Sequence, residues 1–344
     1  MIQQHGGNIL QYENILDFSA NINPLGIPES VRKAIIANID CIEKYPDPDS
    51  TELRKKLAVH EGVNAENIVC GNGADDLIFR IVHALKPQKA LVCAPSFSEY
   101  SRALSEVNCD ICEHELTESS GFAVTESILE QLDSTYDICF VCTPNNPTGQ
   151  LIAPEILQKL SQKCLKNNII LVCDECFMGF VRNSENYTIR NFFNDRCIIL
   201  KAFTKLYATP GIRLGYAVCD STEIADRLKN SGQFWNVSSL AQKVGTAALD
   251  EAEYVRKTIE IITAERRFLA SELTDMGAKI FDSSANFLLF KSHTGLCEKM
   301  LAEGILIRDC QNFSRLSAGF YRIAVRTHDK NLLLINVLRR CING

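Results

Sequence analysis

The sequence predicts an α/β protein in which a mostly parallel sheet, covered by helices on both faces, is followed by a smaller α+β unit. From about Asn67 to Tyr216, continuous apolar β-rich runs alternate with amphipathic helical stretches. That alternation is the pattern of parallel strands buried on both sides. After Tyr216 the texture changes to one long helical pattern, about Ala252 to Met276, and then to short strand-like runs. A length of 344 residues is enough for a large core and two domains.

Taken in order, the head of the chain is turn-rich around Asp17-Phe18-Ser19-Ala20-Asn21-Ile22-Asn23-Pro24-Leu25-Gly26 and reads as irregular. Gly71-Asn72-Gly73-Ala74-Asp75-Asp76 leads into an apolar helical pattern from Leu77 to Leu85. Ala90 to Cys93 reads as a strand, followed by a helical stretch from Phe97 to Val107. Ile138 to Cys142 is the next strand, with a helix from Ala153 to Asn167 behind it. Ile169 to Asp174, Cys197 to Leu200 and Leu214 to Val218 complete the apolar strands. Beyond the long helix, Asn286 to Phe290, Ile305 to Arg308 and Tyr321 to Val325 read as strands of the smaller unit. In sheets of this kind, ligands bind outside the carboxyl ends of the strands, so the residues just after each strand are the candidates for chemistry.

Composition narrows the function. The net charge is −6 with no long basic run, which argues against nucleic acid, because neutralising phosphates needs clustered Lys and Arg. No apolar run reaches the length of a membrane span. The first residues lack a basic patch followed by an apolar stretch, so a cytoplasmic location is the expectation. There are fifteen cysteines, three pairs of them spaced x-x: Cys109/Cys112, Cys139/Cys142 and Cys173/Cys176. Residues three apart on a strand point to opposite faces, so Cys139 and Cys142 make a poor metal pair. The cysteines read as small buried hydrophobes with free thiols, and no metal is expected.

Lys205 is the centre of the candidate chemistry. Asp174 ends a buried strand, where a carboxylate is costly unless something compensates. Lys205 follows one strand later, in Thr204-Lys205-Leu206-Tyr207-Ala208-Thr209-Pro210-Gly211-Ile212-Arg213. Thr143-Pro144-Asn145-Asn146-Pro147-Thr148-Gly149 follows the strand ending at Cys142, and Phe97 follows another strand end. The glycines before the Leu77–Leu85 pattern let backbone amides of Gly73, Ala74 and Asp75 face an anion at a helix start.

This ordered set resembles the fold-type I pyridoxal-phosphate enzymes of the aspartate-aminotransferase superfamily. The resemblance spans nearly the whole chain. It implies that Lys205 bonds the aldehyde of pyridoxal 5'-phosphate and that Asp174 pairs with the pyridine nitrogen. It further implies that Asn146 donates to the phenolic oxygen and that Phe97 stacks on the ring. Gly73, Ala74, Asp75, Thr204 and Arg213 would hold the cofactor phosphate. Tyr45, in Lys44-Tyr45-Pro46-Asp47, matches a segment that reaches the phosphate across a homodimer interface. Ala202 stands where many relatives carry a phosphate-binding hydroxyl, and Phe177 stands where aminotransferases commonly carry a tyrosine.

Within the superfamily, His5-Gly6-Gly7-Asn8, the Asp17–Gly26 segment, the Lys205 segment and Tyr321-Arg322-Ile323-Ala324-Val325-Arg326 are similar to the threonine-phosphate decarboxylase family of cobalamin biosynthesis. That likeness implies decarboxylation of O-phospho-L-threonine to (R)-1-amino-2-propanol O-2-phosphate, with O-phospho-L-serine, giving ethanolamine phosphate, as an additional or alternative substrate. Histidinol-phosphate aminotransferases share most of the cofactor motifs and are the alternative. The substrate carries a carboxylate and a phosphomonoester, for which Arg308, Arg322, His5, Gly6, Asn21 and Asn146 are the expected ligands. By that resemblance Arg322 matches the carboxylate-binding arginine and Arg308 is the phosphate candidate, with a sharing of both groups between them left open. The expected organisation is an N-terminal segment 1–34 contributing to the substrate pocket, a large cofactor-binding domain 35–235 and a small domain 236–344.

Overall fold

The computed structural model describes residues 5–343. Thirteen strands form three sheets among these residues. In chain order they are β1 (Leu16–Asp17), β2 (Ile68–Gly71), β3 (Lys89–Ala94), β4 (Asp110–Glu115), β5 (Ile138–Cys142), β6 (Ile170–Asp174) and β7 (Cys197–Ala202). There follow β8 (Gly215–Cys219), β9 (Lys279–Ile280), β10 (Phe287–Lys291), β11 (Ile305–Leu306), β12 (Arg308–Asp309) and β13 (Phe320–Ala324).

The large sheet has the order β2-β8-β7-β6-β5-β3-β4. Every pairing from β7 through β4 is parallel, and β8 alone runs against both its neighbours, β2 and β7. Its strands feed two separate cores. Along β5, Ile138, Phe140 and Cys142 face one core, while Cys139 and Val141 face the other. This period of two sets Cys139 and Cys142 on opposite faces. All fifteen cysteines carry free thiols, and most are buried.

β4 is a strand that the apolar-run criterion does not find. Its sequence, Asp110-Ile111-Cys112-Glu113-His114-Glu115, is too polar for a strand covered on both faces. It lies at the sheet edge, paired only with β3, where charged side chains are tolerated and discourage further pairing.

The smaller unit is an antiparallel sheet, β12-β13-β10-β9. The 24-residue helix Ala252–Asp275 and the helix starting at His328 pack against it. The run from Ile305 to Arg308, read above as one strand, is divided between two sheets. Ile305 and Leu306 pair in parallel with Leu16 and Asp17, whereas Arg308 and Asp309 pair with Arg322 and Tyr321. The head of the chain is therefore not wholly irregular, because β1 claims the edge of β11. Phe18 N then donates to Leu306 O at 2.8 Å, and Ala324 N to Phe18 O at 2.8 Å. These bonds hold the head of the chain against the small sheet.

Candidate active site

A cavity of about 880 Å³ opens at the carboxyl ends of β3, β5, β6 and β7, between the large sheet, the small sheet and the head of the chain. Its walls carry most of the residues singled out from the sequence.

At one end lies an anion cradle. The helix Ala74–Leu85 starts directly after Gly73, whose φ of 90° is a conformation that only glycine adopts without strain. A Cβ on Gly73 would sit 2.5 Å from Arg213 Nη2, and one on Gly215 would sit 2.6 Å from Ala74 N. Arginine and helix start are thus brought as close as backbone allows. Arg213 itself holds a left-handed φ of 58°. Thr204 is buried beside it in the cavity wall. Asp75 Oδ1 is buried without a hydrogen-bond partner. Burial, and then the neighbouring Glu99, push its carboxyl upward.

At the middle of the cavity, Asp174 ends β6 beside Cys142 at the end of β5. Tyr100 donates its hydroxyl hydrogen to Asp174 Oδ2 at 2.6 Å, and Cys176 N donates to Oδ1 at 2.9 Å. Lys205 lies on a one-turn helix, Phe203–Leu206, that follows β7 directly. Its Nζ stands 5.3 Å from the centre of the Phe177 ring. Among the described residues its amine has no hydrogen-bond or ion-pair partner, so it is available for bonding. Asn146 accepts a hydrogen bond at Oδ1 from Arg322 Nη1. That contact fixes the amide, leaving its NH₂ group to donate into the cavity.

At the far end two arginines meet. Arg308 on β12 lies directly opposite Arg322 on β13. Directly opposed residues of an antiparallel pair share a face, with Cβ atoms about 5 Å apart. Both side chains are almost wholly buried, and burial lowers both guanidinium pKa values, that of Arg322 to about 10. Like charges so placed destabilise a sheet unless an anion joins them. Arg322 also donates to Ser19 O at 2.8 Å, while its Nε is buried without a partner. Arg308 donates to Asn312 Oδ1 at 2.7 Å and lies over the Phe313 ring.

The head of the chain closes this end. Gly6 packs on Ser19 so tightly that a Cβ would lie 2.2 Å from Ser19 O. Gly7 N donates to Ser19 Oγ at 2.8 Å. Asn21 is buried with an unpartnered Oδ1, and its own carbonyl accepts from Asn286 Nδ2 at 3.0 Å. Arg326 donates to the carbonyls of Asp17, Ala20 and Ile22, so it holds the head in place. His5 lines the cavity 6.0 Å from the Phe97 ring, but its Nε2 is 3.0 Å from Glu99 Oε1. One ring nitrogen is thus engaged by a buried carboxylate.

Of the residues singled out from the sequence, His5, Gly6, Asn21, Ala74, Asp75, Phe97, Asn146, Asp174, Thr204, Lys205, Arg213, Arg308 and Arg322 line the cavity. Gly73 backs it through Arg213. Tyr45 does not reach the cavity within its own chain. It is 78 % exposed and stacks on Trp235 at 4.4 Å. Sequence reasoning missed Tyr100, Glu99, Ser19, Asn312 and Lys330. Each sits in a helical or turn pattern that looks structural, although Ser19 lies within the Asp17–Gly26 segment and Glu99 and Tyr100 follow Phe97 closely.

A family model for aminotransferase class I and II matches residues 13–338. The chain belongs to this family, and it is a pyridoxal-phosphate-dependent enzyme. A threonine-phosphate decarboxylase from Salmonella typhimurium is 37 % identical to it over 99 % of this chain and 97 % of its own length. Among solved structures, a histidinol-phosphate aminotransferase from Clostridium acetobutylicum matches with TM-score 0.89 and 29 % identity, covering 96 % of this chain and 99 % of that one. An L-threonine-O-3-phosphate decarboxylase from Porphyromonas gingivalis matches with TM-score 0.81 and 25 % identity, covering 95 % and 99 %. The cavity fits the cofactor. It offers an unpartnered lysine amine, a strand-end carboxylate and, at the opposite end, a glycine–arginine cradle suited to a phosphate.

Proposed function

We propose that this enzyme decarboxylates O-phospho-L-threonine to (R)-1-amino-2-propanol O-2-phosphate and carbon dioxide, a step in building the nucleotide loop of cobalamin. The observation that carries the reading is the pair of buried, directly opposed arginines, Arg308 and Arg322, beside a separate phosphate cradle. A substrate with two anionic groups answers that pair, and planar guanidinium forks suit both a carboxylate and a phosphomonoester.

Bound pyridoxal phosphate supplies an electron sink for the charge left on the α-carbon when carbon dioxide departs. In our reading the chain does the rest. Lys205 holds the cofactor aldehyde. Asp174 meets the pyridine nitrogen, and Asn146 donates to the phenolic oxygen. Phe97 covers the ring, and Gly73, Ala74, Asp75, Thr204 and Arg213 hold the phosphate. Arg322, steadied by Asn146 and Ser19, grips the substrate carboxylate, while Arg308 takes the phosphate with help from His5, Gly6 and Asn21. With the cofactor bound, the Arg322 and Asn146 clamp would set which bond of the α-carbon is presented for cleavage, so the reaction would follow the clamp. The substrate amine would take the place of Lys205 on the aldehyde, and the freed Lys205 ammonium would carry the proton that replaces carbon dioxide on the α-carbon. The Phe177 ring cannot hydrogen-bond the phenolic oxygen, which leaves that role to Asn146, and a phenylalanine here favours the decarboxylase reading.

We further propose that the working form is a homodimer in cytoplasm. Tyr45, Phe234, Trp235, Ile36, Ile39 and Ile42 are all exposed, and Tyr45, Trp235 and Phe234 are in ring contact with one another through Trp235; exposed apolar clusters of this kind mark an interface. The free thiols fit a reducing compartment. No helix among the described residues is long and apolar enough to cross a membrane.

The 0.89 structural match keeps histidinol-phosphate transamination as the second reading. Incubation with O-phospho-L-threonine should release carbon dioxide and the amine phosphate. Transamination of histidinol phosphate with 2-oxoglutarate, and no carbon dioxide from phosphothreonine, would reverse the assignment. O-Phospho-L-serine lacks one methyl group, a difference worth about 1–3 kcal/mol in an apolar pocket. It should be turned over more slowly in the same assay.

A further inference from the structure

We propose that Tyr100 is a positioning residue for the cofactor: its hydroxyl fixes the Asp174 carboxylate in the orientation that meets the pyridine nitrogen. The proposal rests on the assignment of Asp174 to that nitrogen.

Tyr100 is fully buried, and its hydroxyl donates to Asp174 Oδ2 at 2.6 Å, with the Cys142 thiol beside it. The other carboxylate oxygen is held by Cys176 N. Each oxygen carries two lone pairs, so two donors fix the rotamer and still leave capacity for a third contact. The phenol cannot swing away. Its ring stacks on Phe140 of β5 at 5.2 Å and meets the edge of Phe97 at 5.7 Å. Phe97, Glu99 and Tyr100 come from one short stretch after β3. That stretch therefore sets both the ring that covers the cofactor and the hydroxyl that orients its counter-ion.

The choice of tyrosine has a chemical reason. A lysine or arginine beside Asp174 would compete with a protonated pyridine nitrogen for the same carboxylate. A neutral donor tempers the carboxylate without neutralising it. Burial and the adjacent Asp174 hold the phenol proton on oxygen well beyond its ordinary range, so the donation persists wherever the enzyme works. Removing the donor leaves a more basic carboxylate, and the proton on the Lys205–cofactor linkage then binds more tightly.

The test uses holoenzyme and two readouts besides turnover: the pH midpoint of its yellow absorbance and the dissociation constant for pyridoxal phosphate. In Tyr100→Phe the midpoint should rise by about 0.4–1 pH unit, the equivalent of one ordinary hydrogen bond, with cofactor affinity down about 3- to 10-fold. Asp174→Asn, which removes the carboxylate charge, should displace both readouts, and the double variant should match Asp174→Asn alone. 3-Fluorotyrosine at position 100, a stronger donor of nearly the same shape, should move the midpoint down, which keeps the test decisive if the phenylalanine variant folds poorly. Wild-type midpoints in Tyr100→Phe and in the fluorinated protein, with Asp174→Asn displaced, would show that Tyr100 only fills space. If Asp174→Asn is also unmoved, the assignment of Asp174 falls, and the proposal with it.

Discussion

Arg322 shows how much a single side chain carries. It bonds Asn146 and Ser19, and it faces Arg308 across a strand pair. Lysine would keep the charge but lose the fork, so Asn146 would lose the partner that orients its amide. We expect Arg322→Lys to lower kcat/KM for phosphothreonine about 30- to 160-fold, the effect of about 2–3 kcal/mol. Steady-state kinetics with cofactor saturating would check it. Lys205→Ala should abolish both turnover and the yellow species that borohydride traps on the chain. That Lys205, Asp174, Asn146 and Arg213 would share one cavity was legible in the sequence, because each closes or follows a recognisable strand. Tyr100 and Glu99 were not, because a tyrosine and a glutamate at the start of an amphipathic helix look like core and surface. Only folding brings the Tyr100 hydroxyl to Asp174, 74 positions away.

Elements impose the next set of constraints. The turn between β2 and the helix Ala74–Leu85 must pass Arg213 without a side chain. Gly73→Ala would demand a left-handed backbone of a residue with a Cβ and would push Arg213 aside. The expected outcome is a folded protein with at least about tenfold weaker pyridoxal phosphate binding, read by fluorescence titration; an unchanged affinity would contradict the cradle. Arg326 joins the end of β13 to three carbonyls of the head of the chain. Arg326→Met should therefore raise KM for phosphothreonine more than it lowers kcat. The strand content was readable wherever burial on both faces demanded apolar runs. It failed at β4, where an edge permits charge, and at Ile307, where one extended run serves two sheets. Edge status and partner choice are not local properties, so no local pattern reports them.

At the scale of the whole molecule, two features lie outside the cavity. The exposed group around Tyr45 and Trp235 predicts a dimer in sedimentation equilibrium. Trp235→Glu should shift the protein toward monomer and weaken cofactor retention if Tyr45 of a second copy completes the phosphate site. The second feature is a buried charge cluster on the far side of β7. Lys201 pairs with Glu61 at 3.0 Å, and Tyr216 donates to the same carboxylate. Burial alone would raise the Glu61 carboxyl, but Lys201 and Tyr216 outweigh it and hold it low. Burial opposes the Lys201 charge, yet Glu61 and Glu175 raise its pKa. By linkage, the Glu61 share of stability is full above the ordinary carboxylate pKa and is lost as pH falls through the lowered value. The Lys201 share is full below the ordinary lysine pKa and disappears as pH rises through the raised one. Glu61→Gln should cost about 2–4 kcal/mol near neutral pH, and urea unfolding across pH should show a shallower acid limb.

The sequence by itself determined the α/β class, the succession of buried strands along the chain and the lysine, acid, amide and arginine that line the cavity. Burial on both faces forces continuous apolar runs, and strand ends in such sheets are where ligands bind, so these features are written locally. The tertiary structure alone decided which side chains share a face of the cavity. It opposed Arg308 to Arg322, set Tyr100 under Asp174 and drew the head of the chain over the site. Those contacts join residues up to 309 positions apart. They arise from register and packing, which depend on every partner element at once.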